Sequence, residues 1–174
     1  TGSPMYYASR IAKQKYPDAK VVFVGPCIAK RKEAQRDECV DYVLTFEEIG
    51  AILKGLGIEI KEASPYKVAK ESVCEAHGFA QAGGVAGAVK AYLGEKANGI
   101  KIMQVSDFNK KNIGVLRAYA KTGKVDAQFI EMMACPEGCI TGPSAHNDPM
   151  AGKRQLNQDL IKRPLKYENY KEEE

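Results

Sequence analysis

The 174 residues contain no tryptophan and two histidines, His77 and His146, both read as ordinary loop residues. Nine tyrosines are present, but they do not interleave with basic residues as a base-stacking surface requires. No apolar run approaches the length of a membrane span, and no signal peptide opens the chain. Net charge is low, +4 from 26 basic and 22 acidic residues, with the two signs interspersed. Nucleic-acid binding is therefore not expected. The five cysteines are odd in number and irregularly spaced, which excludes a secreted disulfide scaffold and points to cytoplasmic thiols.

Hydrophobic residues make up 44% of the chain and charged residues 28%, the composition of a globular domain or of two small lobes. The stretch with most chemistry is Glu131 to Gly142, E-M-M-A-C-P-E-G-C-I-T-G. An apolar strand-like run ends there on Cys135 and Cys139, joined by the turn residues Pro136, Glu137 and Gly138. Two thiols so placed suit a metal or an iron–sulfur cluster better than a hydrophobic core. Zinc is the competing ion, with Cys27, Cys135, Cys139 and His146 as conceivable ligands. Cys39 and Cys74 are read as incidental thiols.

Earlier in the chain, Ser3 caps a helix that starts at Pro4 and carries Met5, Ala8, Ile11 and Ala12 on one face. Val21 to Val24 reads as a strand buried on both faces, hence parallel, and Gly25-Pro26-Cys27 closes it. A charged helix over 29–37 and a strand over 41–44 follow. Thr45 to Glu48 is a capping box for a helix that buries Phe46, Ile49, Leu53 and Leu56. Ser64-Pro65 is a turn, and 74–78 reads as a loop. Gly83-Gly84 leads into a helix carrying Val85, Ala88, Val89 and Tyr92; its small residues permit close packing, and the paired glycines close approach to a ligand. A strand over 100–105, a helix over 113–120 stopped by Gly123 and a strand over 125–133 come next. The last helix, over 153–163 with Leu156 and Leu160 inward, is stopped by Pro164. The fold expected is α/β: two small β-α-β-α lobes with mainly parallel sheets flanking a cluster site. Cys27 and Cys135 both stand at carboxyl ends of strands, where parallel sheets bind ligands.

The stretch Gly25-Pro26-Cys27-Ile28-Ala29-Lys30-Arg31-Lys32-Glu33 resembles the P-C-x-x-K-x-x-E motif of [FeFe]-hydrogenase catalytic domains. Glu131 to Cys139 resembles their E-x-M-A-C-P-x-G-C motif, and the likeness runs from Ser3 to about Gly142. It implies proton reduction and hydrogen oxidation at the H-cluster, a [4Fe–4S] cluster joined to a diiron subcluster. By motif position, Cys27 and Cys135 ligate the cubane and Cys139 bridges it to the diiron unit. Lys30 hydrogen-bonds a cyanide ligand, Met133 packs on the diiron unit, and Glu33 belongs to the motif. An electron partner such as ferredoxin, or fused iron–sulfur or signalling domains, is implied too.

The sequence departs from the family at three places. The T-S-C-C-P motif that supplies the fourth cubane ligand is not in these residues. Gly25 stands where catalytic members have Met, and the glycine-rich tail is reduced to Thr141-Gly142-Pro143-Ser144. These departures resemble the sensory-type branch. The expectation is the C-terminal part of a hydrogenase-like domain over 1–165, with lobes at about 1–60 and 80–165 and a charged tail at 166–174. On its own it is expected to carry an incomplete H-cluster and to be inactive. The alternative is a non-catalytic hydrogen- or redox-sensing module, or a [4Fe–4S]-binding module of a signalling or cluster-assembly protein.

Overall fold

A computed structural model describes residues 1–38, 40–64, 66 and 73–163. Cys39, Pro65 of the expected turn, Pro164 and the charged tail lie outside the described residues. The chain divides into two compact units, one of Thr1–Tyr66 with Gly142–His146, the other of Lys67–Thr141 with Asn147–Glu174.

In the first unit, helix α1 spans Pro4–Lys15. Ser3 caps it by accepting the N–H of Tyr6 at 3.4 Å. Strand β1 (Val22–Gly25) pairs in parallel with β2 (Tyr42–Thr45), Val22 opposite Tyr42 and Gly25 opposite Thr45. Helix α2 (Ala29–Asp37) crosses between them. Helix α3 (Phe46–Gly55) opens on the expected capping box, with Thr45 accepting the Glu48 N–H and Glu48 accepting that of Thr45. The core is small: Met5, Ala34 and Val40, flanked by Tyr6, Val21, Phe23 and Val43.

Two expectations of burial fail here for one reason, the width of the sheet. Strand β1 is not buried on both faces: Phe23 turns to the core, whereas Val22 and Val24 are 46% and 41% exposed. Two strands about 5 Å apart are narrower than one helix and cover little on either side. The apolar stripe of α3 is likewise open, with Phe46 and Leu56 exposed. Helix α1 turns Met5 and Ser9 inward while Ala8 and Ile11 face out. Ser9 tolerates burial because its hydroxyl donates to the carbonyl of Tyr6 at 2.9 Å.

The second unit repeats the parallel pairing. Strand β3 (Ile102–Ser106) pairs with β4 (Phe129–Met133), Ile102 opposite Phe129 and Ser106 opposite Met133. Helix α6 (Lys110–Thr122) joins them, capped by the Asn109 side chain and stopped by Gly123 in the left-handed conformation, as expected. Before them come a short helix α4 (Cys74–His77), where a loop was expected, and α5 (Gly84–Leu93). Ala86 and Ala88 are the buried residues of α5, while Tyr92 is exposed. Helix α7 (Pro149–Lys162) starts four residues before the expected point, because Asp148 caps it and Pro149 occupies its first turn.

Candidate functional site

The first motif lies at the β1–α2 junction. Gly25 closes β1 beneath the Phe23 ring; a Cβ at Gly25 would lie 2.9 Å from that ring. This gives a local packing reason for glycine at that position. Cys27 is half-buried and lies two residues before the first residue of α2. The carbonyl of Pro26, beside it, accepts the N–H of buried Ser144 at 3.2 Å, so the short tail after the second motif docks on the first.

Lys30 and Glu33 are brought together on successive turns of α2, Nζ to Oε2 at 2.5 Å. Glu33 also accepts the hydroxyl of Ser3, which ties α2 to the start of α1. Burial resists ionisation of Glu33, but the hydrogen bonds from Lys30 and Ser3 outweigh it and hold its pKa below the ordinary carboxylate value. The cap role of Ser3 is legible in the sequence; its bond to a residue 30 positions later is not.

The second motif leaves β4 at Met133. Met133 is half-buried and Met132 is 56% exposed. Between Cys135 and Cys139, Glu137 (φ 59°) and Gly138 (φ 97°) are both left-handed, which folds the two cysteines into one tight loop. Inside it, the Gly138 N–H bonds the Cys135 carbonyl at 3.3 Å; just beyond it, the Thr141 hydroxyl has the carbonyls of Pro136 and Gly138 as alternative acceptors. From outside, the Ala82 N–H bonds the Glu137 carbonyl at 2.9 Å, and Lys153 of α7 pairs with the Glu137 carboxylate. A Cβ at Gly138 would lie 2.6 Å from the nitrogen of Ala82, so the loop backbone rests directly on the 81–82 backbone. The paired glycines serve a similar closeness: a side chain at Gly84 would collide with the carbonyl of Gly78.

Glu131 is the residue whose role the sequence reading missed. It is 5% exposed, and its oxygens accept the N–H groups of Gly83 (2.6 Å) and Ala86 (2.7 Å). The available signal was a carboxylate in an apolar strand, which needs buried partners.

Cys27 thus belongs to the first unit, and Cys135 and Cys139 to the second. Among the described residues no three His, Cys, Asp or Glu side chains converge on a metal-sized site. His146, the fourth conceivable zinc ligand, is exposed. The donors present are thiols in the segments that follow β1 and β4, a donor set that fits iron–sulfur ligation.

The family described as iron only hydrogenase large subunit, C-terminal domain, matches residues 1–143. The NAR1 protein of Arabidopsis thaliana is 28% identical, over 77% of this chain and 38% of its own length. The cytosolic Fe-S cluster assembly factor NAR1 of Kluyveromyces lactis is 26% identical, over 91% of this chain and 49% of its own. The chain therefore spans less than half of these curated relatives. Among solved structures, an [FeFe]-hydrogenase studied for oxygen inactivation of its H cluster has a TM-score of 0.59 at 18% identity, covering 92% of this chain and 58% of that one. The [FeFe]-hydrogenase HydA(deltaEFG) has a TM-score of 0.56 at 19% identity, covering 90% and 57%. These structures show the shared α/β fold with its short parallel sheets. Among the described residues no helix is long and apolar enough to cross a membrane. The chain belongs to the family formed by the C-terminal domains of iron-only hydrogenase large subunits.

Proposed function

We propose that this chain is the cluster-holding part of a cytosolic, hydrogenase-like protein that serves iron–sulfur cluster assembly, not hydrogen turnover. The observation that carries the reading is the Cys135–Cys139 loop, folded by two left-handed residues and fixed from Ala82 and Lys153. A loop held from both sides suits a structural or transferable cluster. Cys27, Cys135 and Cys139 are the proposed ligands, with further ligands coming from the rest of the protein. A [4Fe–4S] cluster bound there supplies one-electron chemistry or a cluster for transfer. The diiron subcluster is not part of this reading. The expectation of hydrogen turnover gives way to its alternative because the curated relatives are named as cytosolic cluster assembly factors.

In this reading Lys30 serves the anionic cluster near Cys27 as a cation steadied by Glu33, instead of donating to a cyanide ligand. Met133 packs beside the second motif. The partners proposed are proteins that deliver or accept clusters, and an electron donor such as ferredoxin.

The hydrogenase reading is supported by the family match over residues 1–143 and by the two cysteine motifs. Infrared spectroscopy of the full-length protein, made anaerobically in cells with hydrogenase maturation factors, separates the two. Assembly function predicts no bands from iron-bound CO or cyanide and no hydrogen evolution with a reduced dye. Such bands together with turnover restore the hydrogenase reading. Bands without turnover favour a hydrogen or redox sensor.

A further inference from the structure

We propose that Glu131 is a positioning residue for Cys135 and Cys139, acting through the turn at residues 81–83. The inference rests on the cluster reading above and adds the residue that sets the geometry of its second motif.

Helix α5 starts without a cap of its own. Its N-cap is Gly83, which has no side chain, and its third residue is Ala86, which carries no acceptor. In a capping box one side chain accepts the N–H of the third residue and another accepts that of the cap. Glu131 does both from a strand 45 and 48 residues away, at 2.7 Å and 2.6 Å. A carboxylate 5% exposed is costly to bury unless both oxygens are satisfied, and here both accept backbone N–H groups. Removing it leaves two N–H groups at the start of α5 without acceptors, so the turn at 81–83 loses its anchor to β4.

That same turn is the ledge on which the cysteine loop lies. Ala82 donates to the Glu137 carbonyl at 2.9 Å, and the Gly138 backbone packs against Gln81 and Ala82 too closely for any side chain. The loop is thus held covalently at the end of β4, by Lys153 of α7 at the Glu137 carboxylate, and through the ledge that Glu131 ties to β4. With the tie cut, the ledge loosens while the covalent hold and the Lys153 contact remain. The consequence falls on the separation and direction of the two thiols.

The test compares Glu131→Gln with Thr45→Ala in the full chain. The glutamine side chain retains the shape but offers one acceptor and an amide donor. Thr45→Ala weakens the α3 cap in the first unit, a stability control remote in sequence from the loop. Two readouts are taken: iodoacetamide alkylation rates of each cysteine in cluster-free protein, mapped by mass spectrometry, and the rate at which a reconstituted cluster is lost to a chelator.

We expect Glu131→Gln to change alkylation at Cys135 or Cys139 and to speed cluster loss, each about tenfold or more, the range for removing groups that orient metal ligands. Alkylation of Cys27 stays at the wild-type rate, and Thr45→Ala leaves all three cysteines unchanged. Wild-type alkylation at Cys135 and Cys139 in Glu131→Gln overturns the inference, as does an equal change in Thr45→Ala. If Glu131→Gln does not fold, Glu131→Asp, which keeps the charge on a shorter stem, is judged by the same criteria. A wild-type protein that holds no cluster removes the proposed function instead, and the alkylation rates then decide the positioning role alone.

Discussion

The ammonium of Lys30 lies 2.5 Å from the carboxylate of Glu33, with the two side chains 21% and 17% exposed. An ion pair this sheltered is screened less than a surface pair, and Ser3 shares the same carboxylate. A double-mutant cycle with Lys30→Ala and Glu33→Ala is expected to give a coupling of about 1 kcal/mol in urea denaturation. The Glu33 pKa is depressed, so its contribution is fully present above the ordinary value near 4.5 and fades as pH falls through the folded value. In Glu33→Gln that part of the acid dependence disappears.

Asp41 gives a second acid-sensitive contact. The Val21 N–H bonds it at 2.8 Å, Lys13 and Lys20 lie at 3.1 and 3.5 Å, and these partners lower its pKa to about 2. Its stabilising effect is complete above about 4, the usual value for Asp, and drains away as pH falls towards 2. Asp41→Asn keeps an acceptor for Val21 but loses the charge. Its thermal midpoint is expected to fall below wild type at pH 6 and to approach it as the pH is lowered to 2.

The capping box of α3 predicts a plain stability loss. Thr45 is 3% exposed, and its hydroxyl accepts the Glu48 N–H at 3.2 Å. Thr45→Ala should cost about 1 kcal/mol by chemical denaturation, and Thr45→Ser clearly less.

Two glycines separate backbone strain from collision. Gly57 (φ 69°) and Gly138 (φ 97°) are both left-handed, but a Cβ at Gly57 meets nothing within 4 Å. Gly57→Ala should cost about 1 kcal/mol, the penalty of the conformation alone. Gly138→Ala adds a clash with the Ala82 backbone, so its loss of stability should be larger and its cluster retention lower. Equal effects of the two substitutions on both measurements would contradict the close contact between loop and ledge.

Local signals carried much of the fold. The Thr45–Glu48 box, the stop at Gly123 and the Ser3 cap rest on residues within a turn of one another, and all three stand in the structure. The cysteine motifs were legible for the same reason. Burial was harder to read, because it depends on what a strand meets. Val22 and Val24 suit a doubly covered strand yet stay open beside a two-stranded sheet. The links that shape the site escaped the sequence because they are long in range. Glu131 reaches Gly83 and Ala86, Ser3 reaches Glu33, and Ser144 reaches Pro26. No periodicity announces such pairs.

The central claim is that these cysteines hold an iron–sulfur cluster. Its most direct test is the iron and acid-labile sulfide content of the full-length protein purified anaerobically, wild type beside Cys135→Ser and Cys139→Ser. The account predicts iron and sulfide in equal amounts in the wild type, a [4Fe–4S] absorption, an electron paramagnetic resonance signal after reduction with dithionite, and a marked loss of both elements in each variant. Zinc in place of iron, or iron and sulfide unchanged by both substitutions, would contradict it.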